Sequence, residues 1–352
     1  MKKNIVAVDL FCGAGGLTRG LLNAGIDVIA GIDFDKYAGQ AYTQNNIRTC
    51  NINCQYLQKD IFKTTGEDIK SLISNYKNSY FLLAGCAPCQ PFSSRNNNKD
   101  KNDIRKNLLT EFGRLVKETN PDMIFMENVP GLQKNKRKRK IFNNFINTLT
   151  EVGFNKENIA FKVINAKDYG VPQSRKRFIL LAAKNKKIEF PAPINDIKKV
   201  KDVISDLPAI QAGEKHNKIT LHRCAGLTSI NLQRLKIIKK DRTELPEYLV
   251  LECHKKTKGH KDAYGRMDWD KPAPTLTTKF FSISNGRYAH PEQNRAISLL
   301  EGALLQSFDN NYIFYGNMQS IAKQIGNAVP PVMAKNLAQI FKIEDCHAQK
   351  RT

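Results

Sequence analysis

Long apolar runs are absent from this chain of 352 residues. None approaches the roughly 20 residues that span a bilayer, and Met1-Lys2-Lys3-Asn4 leads into a strand-like segment without the apolar stretch of a secretion signal. A cytoplasmic protein without membrane association is expected. Acidic side chains are scarce as well, with 33 Asp plus Glu against 56 Lys plus Arg and a formal charge of +23. That excess reads either as a solvated lysine-rich surface or as the complement of a polyanion. The glycine-rich opening lacks the Lys-Ser/Thr pair of a phosphate-cradling loop, which argues against a nucleoside triphosphate. There is no internal repeat. Eight cysteines without an export signal argue against a disulfide framework and for free thiols. What the chain does contain is 41% hydrophobic residues with 18 Phe and 11 Tyr. That is enough for a sizeable core, the length suggests two domains, and a disordered polycation is excluded.

Short apolar runs at 5–11, 28–33, 81–85, 123–126, 159–164 and 178–183 are strand-length. Between the early ones lie segments with helical spacing, such as 17–23 closed by Gly25 and 108–118 closed before Pro121. This rhythm predicts an α/β fold with a doubly wound, mostly parallel sheet, whose ligands bind at the carboxyl ends of the strands. Phe190-Pro191-Ala192-Pro193 reads as a linker, and the stretch to about Pro291 as a smaller domain of short strands and loops. Helices are expected again at 294–306 and 331–341. The basic run 134–140 is read as a solvated loop and helix start rather than a nuclear signal.

Four stretches carry candidate chemistry. Phe11-Cys12-Gly13-Ala14-Gly15-Gly16 follows a strand and opens a helix, and Asp33-Phe34 ends the next strand. A carboxylate there accepts ribose hydroxyls and an aromatic packs on adenine, with Asp60-Ile61 in reach of the base. NAD, FAD and S-adenosylmethionine enzymes all use such turns, and a tight turn without a ligand is the plain alternative. Gly85-Cys86-Ala87-Pro88-Cys89-Gln90 places Cys89 in the strand-to-helix crevice. The C-x-x-C reads as a redox dithiol, as half a zinc site with Cys50 and Cys54, or, the stronger reading, as a lone nucleophile at Cys89. Glu127-Asn128 leaves an apolar strand, where a carboxyl acts as acid or protonated donor, or merely caps a helix. Arg175 and Arg177, at alternate positions, point to one side and suit a phosphate or a base edge.

Five motifs occur here in one order: Phe-x-Gly-x-Gly-Gly at 11–16, Pro-Cys-Gln at 88–90, Glu-Asn-Val at 127–129, Gln-x-Arg-x-Arg at 173–177 and Gln-Ile-Gly-Asn-Ala-Val-Pro-Pro at 324–331. Over nearly its whole length the chain resembles the DNA (cytosine-5)-methyltransferases of bacterial and phage restriction-modification systems. The resemblance implies an S-adenosylmethionine-dependent methyltransferase fold with a smaller inserted target-recognition domain. A catalytic, cofactor-binding domain would span 1–190, the target-recognition domain with its connecting helix 191–317, and a segment completing the first domain 318–352.

It further implies a reaction in which Cys89 attacks carbon 6 of a flipped-out cytosine and Glu127 donates to ring nitrogen 3. Asn128 would position that carboxyl, and Arg177 with Arg175 would hold the base carbonyl or a phosphate, with Gln90 and Ser93 near the flipped base. S-adenosylmethionine would lie against Phe11, Gly13, Gly15, Gly16, Asp33, Phe34, Asp60, Ile61, Leu108 and Asn327. Ser93, Ser94, Thr275 and Thr277 are implied DNA contacts, and no metal is implied. Cys86 and Ala87 depart from the residues common at their positions. The implied partner is double-stranded DNA, with a monomeric enzyme and a cognate restriction endonuclease that acts separately. The competing readings are a tRNA methyltransferase on the same fold, a catalytically dead binding protein and a nicotinamide-linked oxidoreductase.

Overall fold

The computed structural model describes residues 3–48, 54–87, 108–133, 136–255 and 262–342. Its first half is a βα alternation: β1 (Ile5–Leu10), α1 (Gly16–Asn23), β2 (Asp27–Asp33), α2 (Lys36–Tyr42), β3 (Gln55–Gln58), α3 (Gly66–Ile73), β4 (Tyr80–Cys86), α4 (Leu108–Thr119), β5 (Met123–Asn128) and α5 (Lys136–Glu151). Then come β6 (Ile159–Asn165), the two-residue β7 (Gln173–Ser174) and β8 (Lys176–Ala183). The sheet runs β3-β2-β1-β4-β5-β8-β6, and every neighbouring pair is parallel except those made by β8, which is antiparallel to both β5 and β6. Strand order reverses between β1 and β4, so a crevice opens there at the carboxyl ends, where Leu10 pairs with Gly85.

The strands read as unbroken apolar runs because helices cover both faces. One face packs Val8, Leu83, Ile124 and Leu180 under Phe112, Phe142 and Phe145. The other packs Ala7, Leu82, Phe125 and Leu181 with Leu17, Leu21, Leu337 and Phe341. Local signals set the helix ends. Asp35 caps α2 through the N–H groups of Tyr37 and Ala38, and Thr65 with Asp68 forms a capping box on α3.

The rest of the described chain holds α6 (Lys201–Ile204), α7 (Ser229–Ile237), α8 (Glu252–Lys255), β9 (Ala273–Pro274), α9 (Leu299–Leu305), α10 (Met318–Asn327) and α11 (Pro331–Ala338). The expected short strands are nearly missing, since β9, paired with β7, is the one named strand among the described residues of this part. Loops then need donors for their carbonyls, and buried arginines supply them. Arg266 donates to the carbonyls of Leu235, Ile238, His290 and Gln293, while Arg295 pairs bidentately with Glu301 at 2.8 and 2.7 Å. The helix expected over 294–306 is shorter, because Ser298 and Glu301 form a capping box that starts it at Leu299.

Of the two last helices, α11 packs on α1, where Gly20 lets the backbones touch: a Cβ there would sit 2.4 Å from Ala334 Cβ and 2.6 Å from the Pro331 carbonyl. By contrast, Ile321, Ala322 and Ile325 of α10 join the cluster of Phe280, Leu299 and Phe308.

Candidate active site

The turn after β1 takes left-handed backbone at Phe11 (φ 56°), Gly13 (φ 53°) and Gly15 (φ 90°). Gly15 also has no room for a side chain, as a Cβ would lie 2.1 Å from Asn46 Nδ2. At Gly13 a Cβ would meet nothing within 4 Å, so the turn opens on free space. Asp33, at the end of β2, reaches across. Its Oδ2 accepts the Gly13 N–H at 3.0 Å and its Oδ1 the Asp35 N–H at 2.9 Å. Burial raises its pKa above the ordinary value. A carboxylate has about four acceptor sites, so this one keeps capacity for hydroxyl donors.

Phe34 next to it is 68% exposed, a ring with nothing stacked over most of its surface. In sheet order the exposed Asp60 follows, capping the Phe62 N–H at 3.0 Å, with Ile61 buried beneath. Leu108 begins α4 in the apolar core. Asn327 ends α10 exposed, one residue before Ala328, and a Cβ at Gly16 would lie 2.5 Å from the Val329 carbonyl. The chain's last motif is thereby laid on its first. The open turn, the carboxylate and the bare ring fit an adenosyl group.

Beneath the turn is a polar cluster that the sequence reading missed. Asp9 is fully buried and accepts the Thr18 hydroxyl at 2.7 Å, Tyr42 OH lies 3.2 Å from the same Thr18 oxygen, and Cys54 Sγ lies 3.3 Å from Tyr42. Burial pushes Asp9 up to about 7. Tyr312, brought from 298 residues away, donates to the Ala14 carbonyl at 2.5 Å and accepts from Asn46 Nδ2 at 3.1 Å. No local signal marks such a contact.

The second half of the crevice is formed by the ends of β4 and β5, where Cys86 and Glu127 pair in register. Glu127 is 2% exposed. Arg177 Nε lies 2.8 Å from its Oε1, and the Cys86 thiol donates to its Oε2 at 2.6 Å. Burial first, then the Glu127 carboxylate, push the Cys86 thiol well above its ordinary value, and burial raises Cys54 to about 11. Both thiols are thereby kept protonated in the free protein.

Two expected roles change. Asn128 does not hold the Glu127 carboxyl, for its amide donates to the Ala87 carbonyl at 3.1 Å and its oxygen accepts the Val129 N–H at 2.7 Å. It ties the end of β5 to the segment that leads toward Cys89. Nor do Arg175 and Arg177 do the same work. Arg175 lies between β7 and β8 and is 1% exposed, with its guanidinium on the carbonyls of Leu276 (2.9 Å), Gly326 (2.9 Å) and Ala328 (3.2 Å). Burial, then Arg177, bring its pKa down to about 9. Gln173 works beside it, accepting the Leu276 N–H at 3.0 Å and donating to Gln306 Oε1 at 2.5 Å. The first two members of Gln-x-Arg-x-Arg thus staple distant segments together, and only Arg177 faces the carboxylate.

Thr275 gives its hydroxyl to the Ser174 carbonyl at 2.7 Å, and Thr277 Oγ1 receives the Tyr288 hydroxyl at 3.3 Å. Cys89, Gln90, Ser93, Ser94 and Cys50 lie outside the described residues. Among the described residues, no helix is long and apolar enough to cross a membrane.

The family profile of the C-5 cytosine-specific DNA methylases matches residues 5–342. The Type II methylase M.HgiDII of Herpetosiphon aurantiacus is 41% identical over 98% of this chain and 97% of its own length. The Type II methyltransferase M1.HphI of Haemophilus parahaemolyticus is 30% identical over 96% and 86%. Among solved structures, a prophage-encoded protein described as a DNA modification methyltransferase (E. coli) superposes with a TM-score of 0.75 at 24% identity, covering 96% of this chain and 98% of its own. Spodoptera frugiperda DNMT2 does so with 0.63 at 18%, covering 96% and 99%.

Proposed function

Since the chain belongs to the C-5 cytosine-specific DNA methylase family and is a DNA (cytosine-5)-methyltransferase of restriction-modification type, we propose that it methylates carbon 5 of a flipped-out cytosine within one duplex sequence, through a covalent Cys89 adduct. One observation supports this above the others. Glu127 is buried at the end of β5, held by Arg177, and aligned with the strand end that precedes Cys89 by three residues.

Carbon 5 of cytosine is a poor nucleophile. The Cys89 thiolate adds to carbon 6, forming a C–S bond while electron density moves toward carbon 5 and ring nitrogen 3. Glu127 hydrogen-bonds that nitrogen as charge builds on it, and Arg177 fixes the carboxyl in place. Carbon 5 then takes the methyl group and loses its proton, which restores the 5,6 double bond and expels the thiolate. S-adenosylmethionine, when bound, supplies the electrophilic methyl. Phe11, Gly13, Gly15, Gly16, Asp33, Phe34, Asp60, Ile61, Leu108 and Asn327 would hold it.

A stacked cytosine is out of reach, so the base leaves the helix at a cost of a few kcal/mol. Gln90, Ser93 and Ser94, with Thr277 and the basic surface of 191–317, would meet the DNA, and the +23 charge neutralises its phosphates. The catalytic domain would comprise 1–190 and 318–352, the enzyme would be a monomer, and a cognate endonuclease would act separately.

The test is transfer of a labelled methyl group to unmethylated DNA and, in parallel, to tRNA, by the wild type and Cys89→Ser, with bisulfite sequencing of the DNA. Label at cytosine in one duplex motif, lost in the variant, is the expected result. Label in tRNA alone, or a fully active Cys89→Ser, would overturn the reading.

A further inference from the structure

We propose that Cys86 is a positioning residue for the reaction, its thiol holding one oxygen of Glu127 while Arg177 holds the other, so that the carboxyl meets the base in a single orientation. The inference rests on Glu127 acting as proposed above, and it assigns work to a cysteine that the chemistry leaves unused.

Three observations carry it. Cys86 and Glu127 are register partners at the carboxyl ends of two parallel strands, which sends their side chains to the same side of the sheet. The contacts divide the carboxyl cleanly: Sγ donates to Oε2 at 2.6 Å, and Arg177 Nε lies 2.8 Å from Oε1. Two donors on two different oxygens fix the terminal torsion, which in glutamate is otherwise broad. At 2% exposure, Glu127 has little water to take the place of either donor. Arg177 is itself braced, its Nη1 donating to the Lys176 carbonyl at 2.7 Å, and the guanidinium of Arg175 is taken up by three carbonyls.

The chemistry of sulfur suits the task. A thiol is a weaker donor than a hydroxyl or an ammonium. It holds the carboxyl before the base arrives and gives way when a donor on the cytosine ring edge approaches the same oxygen. In the free enzyme Cys86 therefore stands in for the base. Because it is buried and Glu127 sits against it, the thiol is a protonated donor and not a second nucleophile beside Cys89.

The test is a double-substitution cycle on methyl transfer to duplex DNA, using Cys86→Ala, Cys86→Ser, Glu127→Gln and the pair Cys86→Ala with Glu127→Gln. Cys86→Ala should lower kcat about tenfold and displace the pH profile of kcat/KM, as loss of a hydrogen bond to a charged group does. The KM for S-adenosylmethionine and the melting temperature should stay unchanged, and Cys86→Ser should recover most of the rate. In the Glu127→Gln background, Cys86→Ala should have no further effect. Additive losses, or a Cys86→Ala enzyme with wild-type kcat and pH profile, would overturn the inference.

A second measurement needs no turnover. The pH dependence of Cys86 alkylation, mapped by mass spectrometry, should move to lower pH in Glu127→Gln, and an unmoved curve would show that the thiol does not depend on the carboxylate. A wild type that fails to methylate cytosine would sink the functional reading, while the alkylation curves would still decide the contact.

Discussion

Asp33 Oδ2 accepts the backbone N–H of Gly13 at 3.0 Å, joining the end of β2 to the turn that follows β1. The bond sets the height of the glycine turn relative to the neighbouring strand. The second oxygen accepts the Asp35 N–H at 2.9 Å, which orients the start of α2 and leaves Phe34 projecting between them.

Asp33→Ala should therefore orphan two backbone donors and let the turn shift. Each is worth about 1–3 kcal/mol when left unsatisfied. Calorimetric titration with S-adenosylhomocysteine should show affinity reduced about 10- to 100-fold, while methyl transfer at saturating cofactor falls less. Unchanged affinity would remove Asp33 from the cofactor site.

Asp9 makes stability depend on pH in a direction unusual for a carboxylate. Burial lifts it from 3.8 to about 7, so between those values the folded chain keeps a proton that the unfolded chain has lost. Its contribution to stability is full below about pH 4, declines as pH rises to about 7, and is flat above. Asp9→Asn has no such loss. Urea unfolding across this window should show the stability difference moving in favour of the variant by about 4 kcal/mol, and parallel curves would mean that Asp9 is not shifted.

Arg175→Ala tests the reassignment of that side chain. It strips donors from the carbonyls of Leu276, Gly326 and Ala328 in a site 1% exposed, and should cost about 3 kcal/mol in chemical denaturation. DNA affinity per folded molecule should hold. Normal stability with weakened DNA binding would return Arg175 to the base or phosphate.

Gly20→Ala places a Cβ against the Ala334 methyl and the Pro331 carbonyl at the contact of α1 with α11. Alanine gains up to about 1 kcal/mol of helix propensity, but forcing two backbones apart costs about 1–3 kcal/mol. A net loss of stability is expected, partly recovered by adding Ala334→Gly. A stabilised single variant would show that the two helices yield freely.

Much of the fold was legible because it is written locally. Apolar runs of strand length and helical stretches closed by Gly25 or by Pro121 mark β1, α1, β2, β4 and α4 within a residue or two, and the turn at 11–16 announces itself through its glycines. The candidate carboxylates, Asp33 and Glu127, were found because a charged residue ending an apolar strand stands out. Elsewhere the spacing misled. Arg175 and Arg177 look equivalent at alternate positions, yet the guanidinium of the first is taken up by the carbonyls of Leu276, Gly326 and Ala328, which come from distant segments, while the second pairs with Glu127.

By itself, then, the sequence determined the βα alternation, the glycine turn, the carboxylates at the strand ends and the family, since each rests on short-range pattern or motif order. The tertiary structure alone decided the antiparallel placement of β8, which of two arginines faces Glu127, the thiol contact from Cys86 and the grip of Tyr312 on Ala14. These join residues that only folding brings together, and a side chain's partner follows from burial and the nearest unpaired donor or acceptor, quantities that exist only once the chain has packed.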